Sequence, residues 1–395
     1  MTTRVSSDLT RRRAGIAGAV AAASAELRAL SLDIHSHPEL RFEEHHAHAT
    51  LTDFLDRRGF IVERGAFGLP TAFRAVAGSG SPTVAVLCEY DALPDIGHAC
   101  GHNLIAIGGV AVALALAEAL QPGEGTIVVL GSPAEEGGGG KIVMTNEGAF
   151  NGVDAAMMLH PTNTSDAPRR TSLASRWLDV DFFGVNAHAS SAPWDGVNAL
   201  DAMVLGFSAM ALLRQQLRPS LRVHGIITNG GEAANIVPGH TSARLIVRAP
   251  SAGERAALER RLLACFEGAA TQTGCRLEYA WDERPYDDLL QNEHLALTYE
   301  AHFGALGGVV DLATEAQAST DMGNVSHFLP SLHPMFHIPA DAGNHTAGFT
   351  AAAATEEAHA LTLRAATALA LTALDAYLDG SLLERATRAF AAGSA

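Results

Sequence analysis

Three short apolar runs, each closed by polar residues, set the first rhythm of the chain: PTVAVLCEYDA near 82–92, GTIVVLGSPAEEG near 125–137 and DAAMMLHP near 154–161. Their length and turn-residue borders predict buried strands. Between the first two, NLIAIGGVAVALALAEAL is apolar on every side over about 103–120 and stops at QPGEG, which predicts a buried helix. Strand and helix alternating in this way predict an α/β sheet with ligand-binding groups at the carboxyl ends of its strands.

From about Ser175 the texture changes. RWLDVDFFGVNAHAS alternates like a half-exposed strand, VNALDAMVLGFSAMALLRQQL is helical, and LRVHGIITNGG and HTSARLIVRAP read as strands. A helix follows over SAGERAALERRLLACFEGAATQTG, capped by Ser251, and CRLEYAWDERP closes the set as a strand. Strand, helix, strand, strand, helix, strand over 175–288 is the split βαβ order of a small two-layer domain. The segment looks inserted, because STDMGNVSHFLPSLHPMFHI and a long alanine-rich helix expected over 350–378 resume the earlier character. The expected organisation is a mixed-sheet catalytic domain of 1–174 and 289–395, interrupted by an α+β domain of 175–288.

Composition narrows the picture. With 395 residues, 48% hydrophobic and 18% charged, the chain can bury a large core and fill two domains. The net charge of -16 and a longest basic run of Arg11–Arg13 provide no phosphate-neutralising stripe, which argues against nucleic acid and anionic membranes as partners. No segment has the roughly 18 strongly apolar residues of a membrane span. Four irregularly spaced cysteines, Cys88, Cys100, Cys265 and Cys275, are too few for a disulfide framework, so a reducing cytoplasmic setting is expected. The start, TRRRAGIAGAVAAASAELRAL, has some look of a twin-arginine signal, but it flows into AELRALSLDIHSHPEL with helical periodicity and is read as helix.

The candidate chemistry lies at the ends of the apolar runs. Cys100 and His102 are two apart in a glycine-containing turn, Glu135 and Glu136 end one strand, His160 ends the next, and His345 stands near the C-terminus. Taken singly, each has an ordinary explanation as a buried thiol, a solvated corner or a hydrogen-bonded histidine. Together, ionisable groups after strongly apolar runs are costly unless they are paired or ligating. Sulfur, nitrogen and oxygen donors of this kind suit divalent transition metals such as zinc or manganese, with cobalt a further possibility. Gly137–Gly140 lacks the Lys-Ser/Thr ending of a phosphate loop and is expected to form a flexible rim.

The stretches CEYDALPDIGHACGHN, SPAEEGGGG, MMLHP, NAHASSAPWDGVNALDA, ANIVP and STDMGNVS resemble, in order, the aminoacylase and carboxypeptidase family of dinuclear metallohydrolases. Within it they are similar to the amidohydrolase branch of indole-acetyl-amino-acid, hippurate and aminobenzoyl-glutamate hydrolases and related dipeptidases. The resemblance spans about residues 28 to 378. It implies two divalent ions per subunit, with Cys100 bridging them and His102, Glu136, His160 and His345 as ligands. It also implies Glu135 as general base and Asp91 behind the ligands. The family's usual Arg-x-Asp-x-Asp-Ala is replaced here by Cys88-Glu89-Tyr90-Asp91-Ala92, and His333 and His337 compete with His345 for the last ligand position.

The same resemblance implies that the inserted domain is a ferredoxin-like lid and dimerisation domain. His188 would reach the partner subunit's site, and Asn235 and Arg248 would hold a substrate carboxylate, with Arg244 as the alternative to Arg248. A guanidinium fork matches two carboxylate oxygens. The implied reaction is hydrolysis of an amide or peptide bond next to a free carboxylate by a homodimer. The alternatives are an aminobenzoyl-glutamate-type carboxypeptidase and a metal-binding relative without catalysis. A zinc deaminase would need Pro-Cys-x-x-Cys, which is absent from the sequence. Trp194 and Phe182 near His188 suggest an apolar or aromatic acyl group.

Overall fold

The computed structural model describes residues 2–312, 314–316 and 318–393. The chain forms two compact units: Met1–Thr171 with Leu290–Glu315 and Asn324–Ala395, and Ser172–Leu289 with Ala316–Gly323.

The first unit is built on a six-stranded mixed sheet in the order Ile61–Arg64, Phe73–Gly80, Glu124–Ser132, Thr83–Glu89, Ala155–Met157 and Ser331–Leu332. Its middle is parallel: Thr83–Glu89 pairs with both Glu124–Ser132 and Ala155–Met157. Residues Val84–Glu89 are all buried, as expected of a parallel strand covered on both faces. The parallel direction brings the carboxyl ends of these strands to one edge, so the residues that follow them emerge together. Phe73–Gly80 and Ile61–Arg64 add an antiparallel margin that falls outside the predicted strands. DAAMMLHP divides into Ala155–Met157 and His160–Thr162, and the latter pairs in parallel with Met335–His337.

Helices cover the sheet. The N-terminal helix Thr2–Ser36 buries Ile16, Val20, Ala23, Leu27, Leu30 and Ile34, a stripe at alternating steps of three and four residues. It packs on the central helix His102–Ala119 and on Glu356–Leu378. The alanine-rich helix expected over 350–378 is two helices, Ala347–Ala352 and Glu356–Leu378. The break falls at Thr355, whose side chain accepts from the Ala358 N–H and starts a new helix, with Glu356 and Glu357 suiting its positive N-terminal end.

Among the described residues, three helices, Asp8–Ser36, His102–Ala119 and Glu356–Leu378, are long and apolar enough to cross a membrane by length and composition. This corrects the expectation that no segment qualifies. Burial within the protein covers 89% of the apolar window in His102–Ala119 and 72% of that in Glu356–Leu378.

The second unit has a four-stranded antiparallel sheet in the order Arg276–Trp281, Ala174–Phe183, His240–Ala249 and Arg222–Asn229. Helices Ala199–Gln215 and Ala252–Thr273 pack on it. Leu178, Val180 and Phe182, at alternate strand positions, share a core with Met203, Met210, Leu258, Leu262 and Phe266. Ser251 accepts from the Glu254 N–H at 3.2 Å and caps the second helix.

Candidate metal centre

The centre lies within the first unit and is assembled from the strand ends. Cys100 and His102 flank Gly101, whose φ of 77° and close approach to Pro161, 2.7 Å from where a Cβ would stand, suit glycine alone. This turn leads into the central helix with His102 as its first residue. Asp91, 1% exposed, accepts at Oδ2 from the Glu136 N–H at 2.9 Å, while its Oδ1 lies 3.0 Å from His102 Nδ1. One carboxylate therefore fixes both the ring of His102 and the strand end carrying Glu135 and Glu136. The other ring nitrogen of His102, Nε2, is buried without a hydrogen-bond partner. It lies 3.6 Å from Glu89 Oε2 and 3.9 Å from Glu135 Oε2.

The strand Glu124–Ser132 turns sharply before its two glutamates. Ala134 adopts φ 58°, unusual for a residue with a side chain. Buried Glu44 holds the turn, accepting at Oε1 from the Ala134 and Phe42 N–H groups at 2.9 Å each and at Oε2 from Thr71 Oγ1 at 2.8 Å. Gly138, Gly139 and Gly140 are buried beneath it, and a Cβ at Gly140 would meet the Pro133 carbonyl oxygen at 1.9 Å. Gly138, Gly139 and Gly140 are thus a packed support for the turn, which corrects the expected flexible rim for these three, while Gly137 is exposed.

Cys100 is the common member of two donor groups. Cys100, His102 and His160 bring one donor atom each to within 4.8 Å of one another, and so do Cys100, Glu136 and His345. A third group joins His102, Glu135 and Glu136. Cys100 Sγ stands 3.5 Å from His160 Nε2, and His345 Nε2 stands 3.0 Å from Glu136 Oε1. Donors at ordinary zinc distances around one ion lie about 2.9–3.4 Å apart for nitrogen and oxygen and about 3.6 Å apart for sulfur and nitrogen. The residues present fit a pair of divalent ions, and the unpartnered His102 Nε2 faces inward as a ligand would.

The electrostatics agree with this fit. Burial opposes charge on Cys100, yet His160, His102 and His345 hold its thiol well below the usual range. Against burial, Asp91 lifts His102 well above an ordinary histidine and Cys100 lifts His160. Hydrogen bonding to Cys100 and Glu136 raises His345 to about 10. Burial, then repulsion from Cys100, raises Glu136. An anionic cluster that gathers protons onto three histidines offers the same places to divalent cations.

The competing histidines lie elsewhere. His333 is fully buried, its Nδ1 3.1 Å from the Met158 carbonyl oxygen, and burial followed by repulsion from His160 lowers it to about 3. His337 lies on Met335–His337 and donates its backbone N–H to Asp166. Among the described residues neither belongs to a donor group.

Sequence reasoning missed several neighbours. Glu89 forms an ion pair with Lys141, both with fully buried side chains, and Asn344 Nδ2 approaches Cys100 Sγ at 3.8 Å. A glutamate closing an apolar strand was a usable signal for Glu89, the same one that singled out Glu135. Glu44 and Lys141 carried none, since nothing local tells a buried charge from a solvated one.

The remaining predicted residues belong to the second unit. His188 is exposed, and its Nδ1 receives the Ser190 and Ser191 N–H groups at 3.3 Å each. Asn235 is exposed beside it, its carbonyl accepting from the Ala189 N–H at 3.0 Å. Arg248 is half-buried and donates to Ser319 Oγ at 2.7 Å, and burial lowers its pKa. The ladder of His240–Ala249 with Ala174–Phe183 continues into Val237 and Ile236 opposite Ala187 and His188. Asn235 and Arg248 therefore sit toward opposite ends of one ladder, about 25 Å or more apart at 3.3 Å per residue. Arg244 is occupied by Asp179 at 2.7 and 2.8 Å. Phe182 is fully buried against Phe266 and belongs to the core, which corrects its expected part in a substrate pocket, whereas Trp194 is 77% exposed.

The model of peptidase family M20/M25/M40 matches residues 85–368. The Xaa-Arg dipeptidase of Mus musculus is 43% identical over 97% of this chain and 92% of its own length. One of the subunits of the p-aminobenzoyl-glutamate hydrolase of Escherichia coli K12 is 36% identical over 69% of this chain and 61% of its own. Among solved structures, the Bacillus subtilis YXEP protein, described as a dinuclear metal-binding peptidase from the M20 family, superimposes with a TM-score of 0.69. It is 20% identical and covers 90% of this chain and 99% of its own.

Proposed function

We infer the chemistry from one premise: this chain belongs to peptidase family M20/M25/M40 and is a hydrolase. Its reaction is metal-dependent hydrolysis of an amide or peptide bond adjacent to a free carboxylate. The observation that carries the assignment of roles is the sharing of Cys100 between two donor groups. The residues that would hold two divalent ions are Cys100, serving both groups, with His102 and His160 in one and Glu136 and His345 in the other. Zinc or manganese is the expected metal, and cobalt suits the same donors. Divalent ions held there would supply Lewis-acid polarisation of the scissile carbonyl and an activated water. Glu135, buried beside His102, would take a proton from the attacking water and deliver it to the leaving amine. Asp91 holds the His102 ring and the Glu136 backbone, the task of a carboxylate behind a ligating histidine.

The substrate we favour is a dipeptide with a C-terminal arginine, on the strength of 43% identity to the Xaa-Arg dipeptidase along nearly the whole chain. An aminobenzoyl-glutamate-type activity is the second reading, supported by the likeness to that hydrolase. We assign a ferredoxin-like lid to the second unit and a cytoplasmic homodimer to the protein. The edge strand Arg222–Asn229 exposes Ile226 and Ile227, and the helix Ala199–Gln215 exposes Val204, Leu205 and Leu212, the last at 74%. Exposed apolar side chains beside an unpaired strand edge suit pairing with a second copy. The distance between Asn235 and Arg248 also favours two copies, His188 and Asn235 from one and Arg248 from the other serving one substrate.

The test is amino acid release from a panel of Xaa-Arg dipeptides, other dipeptides, N-acyl amino acids and aminobenzoyl-glutamate, using chelated and metal-reloaded protein. Release that requires metal and is fastest with Xaa-Arg is the expected result. Fastest release from aminobenzoyl-glutamate transfers the assignment to the second reading, and no release from any of them with metal bound removes the proposed substrates.

A further inference from the structure

We propose a second metal site, separate from the buried centre, on the surface of the first unit, formed by Asp33, His37 and His46 and suited to one divalent transition metal ion such as zinc or nickel. The three side chains bring one donor atom each to within 4.8 Å of one another. They come from two helices. Asp33 lies in the last turn of Thr2–Ser36 with His37 four residues on, just past the helix end, and His46 is the second residue of His45–Arg57.

The spacing suits coordination. His46 Nε2 is 2.8 Å from Asp33 Oδ2, and His37 Nδ1 is 3.5 Å from Asp33 Oδ1. The two contacts go to different oxygens of Asp33 and lie within about 0.1 Å of the separation of about 2.9–3.4 Å expected for nitrogen and oxygen donors around one ion. The two imidazole rings are 4.1 Å apart between centroids and tilted by 33°, and each presents a nitrogen to the Asp33 carboxylate. One divalent ion would join all three groups. Two histidines and one carboxylate with open positions toward water form a recurrent transition-metal arrangement. At His37 Nδ1, coordination replaces hydrogen bonds to the Asp33 carbonyl oxygen at 2.8 Å and to Ser36 Oγ at 3.2 Å.

The surroundings hold the ligands in place. Both oxygens of Glu39 accept from the His46 N–H, at 2.8 and 2.9 Å, and one also accepts from the Ala47 N–H at 3.0 Å. That carboxylate caps the second helix and fixes the start of its first turn. The side chains of Asp33, His37 and His46 are 41%, 53% and 37% exposed, so an ion reaches them without opening the fold. An ion there would staple the two helices and close the loop 37–44, which ends on Glu44, the residue that holds the turn before Glu135.

The experiment counts zinc or nickel bound per chain after dialysis, by elemental analysis, in the full-length protein and in a His37→Ala/His46→Ala variant. The expected result is one equivalent fewer in the variant, with amide hydrolysis retained. Because the reading is a difference, it is independent of how many ions the buried centre takes and of whether the assigned reaction is right. Asp33→Asn, which keeps the helix sequence otherwise intact, is the second variant and carries the test if the double variant does not fold. It is expected to lose the same equivalent. Equal metal content in wild type and a folded variant overturns the proposal and leaves an ordinary histidine–carboxylate pair.

Discussion

The charged clusters of the two units are built from the same residue types and behave differently. In the first unit Glu89, Asp91, His102, Glu135 and Lys141 are all less than 10% exposed and meet at strand ends. In the second, the pairs Arg244 with Asp179 and His240 with Asp181 lie on the outer face of a sheet, about half in water. Buried groups cannot be satisfied by solvent, so each must share a partner, and Asp91 serves both a histidine ring and a backbone N–H. Surface pairs face little desolvation and add little when formed. Chemistry concentrates where solvent cannot compete, and the exposed polar residues of the second unit, His188 and Asn235, are better suited to meeting something from outside.

The largest expected effect separates the two regions most clearly. Glu135→Gln should keep the metal content of wild type and reduce turnover on the order of 10²–10⁴-fold, the range for losing a general base. Turnover within a few-fold of wild type would place the base elsewhere. Next in size is a pH effect at Glu44, which burial, and then repulsion from Asp91, raises from 4.5 to about 7. A carboxyl whose folded pKa is raised contributes stability that is fully present below its unfolded pKa and is lost as pH rises through the folded value. In metal-free protein, the stability of wild type relative to Glu44→Gln should therefore fall by about 3 kcal/mol between pH 4.5 and just above 7. Urea unfolding across that range measures it, and a flat difference would mean that Glu44 titrates alike in the folded and unfolded chain. The smallest effect is expected on the surface of the second unit. Asp179→Ala should change stability by about 0–1 kcal/mol, and a loss of several kcal/mol in the same unfolding experiment would break the contrast between buried and exposed clusters.

Much of this arrangement was legible in the sequence because it rests on local patterns. The apolar runs ending at Glu89, at Glu135 and at His160 mark parallel strands, and the turn holding Cys100 and His102 marks the donor pair between them. The margin Ile61–Gly80 was not legible. IVER is short and mostly exposed, and FRAVAGSG ends in small polar residues, so neither has the unbroken apolar run that marked the central strands. Phe182 was misread because nearness to His188 in sequence says nothing about which face of a strand a residue occupies, and it points into the core. The glycine run after Glu136 was misread because composition cannot distinguish a mobile segment from one in which any side chain would strike the backbone beneath. The separation of Asn235 from Arg248 became visible only with the strand register, since thirteen residues can form either a hairpin or a long extended arm.

Cys100 belongs to both donor groups, and this single atom ties two equilibria together. In the proposed centre, an ion held by one group would fix the position and charge of the sulfur for the other, so the two positions would not fill or empty as independent events. By thermodynamic reciprocity, the influence of the first occupant on the second equals that of the second on the first. The proposed centre would therefore fill as one coupled object, with its occupancy a property of the pair.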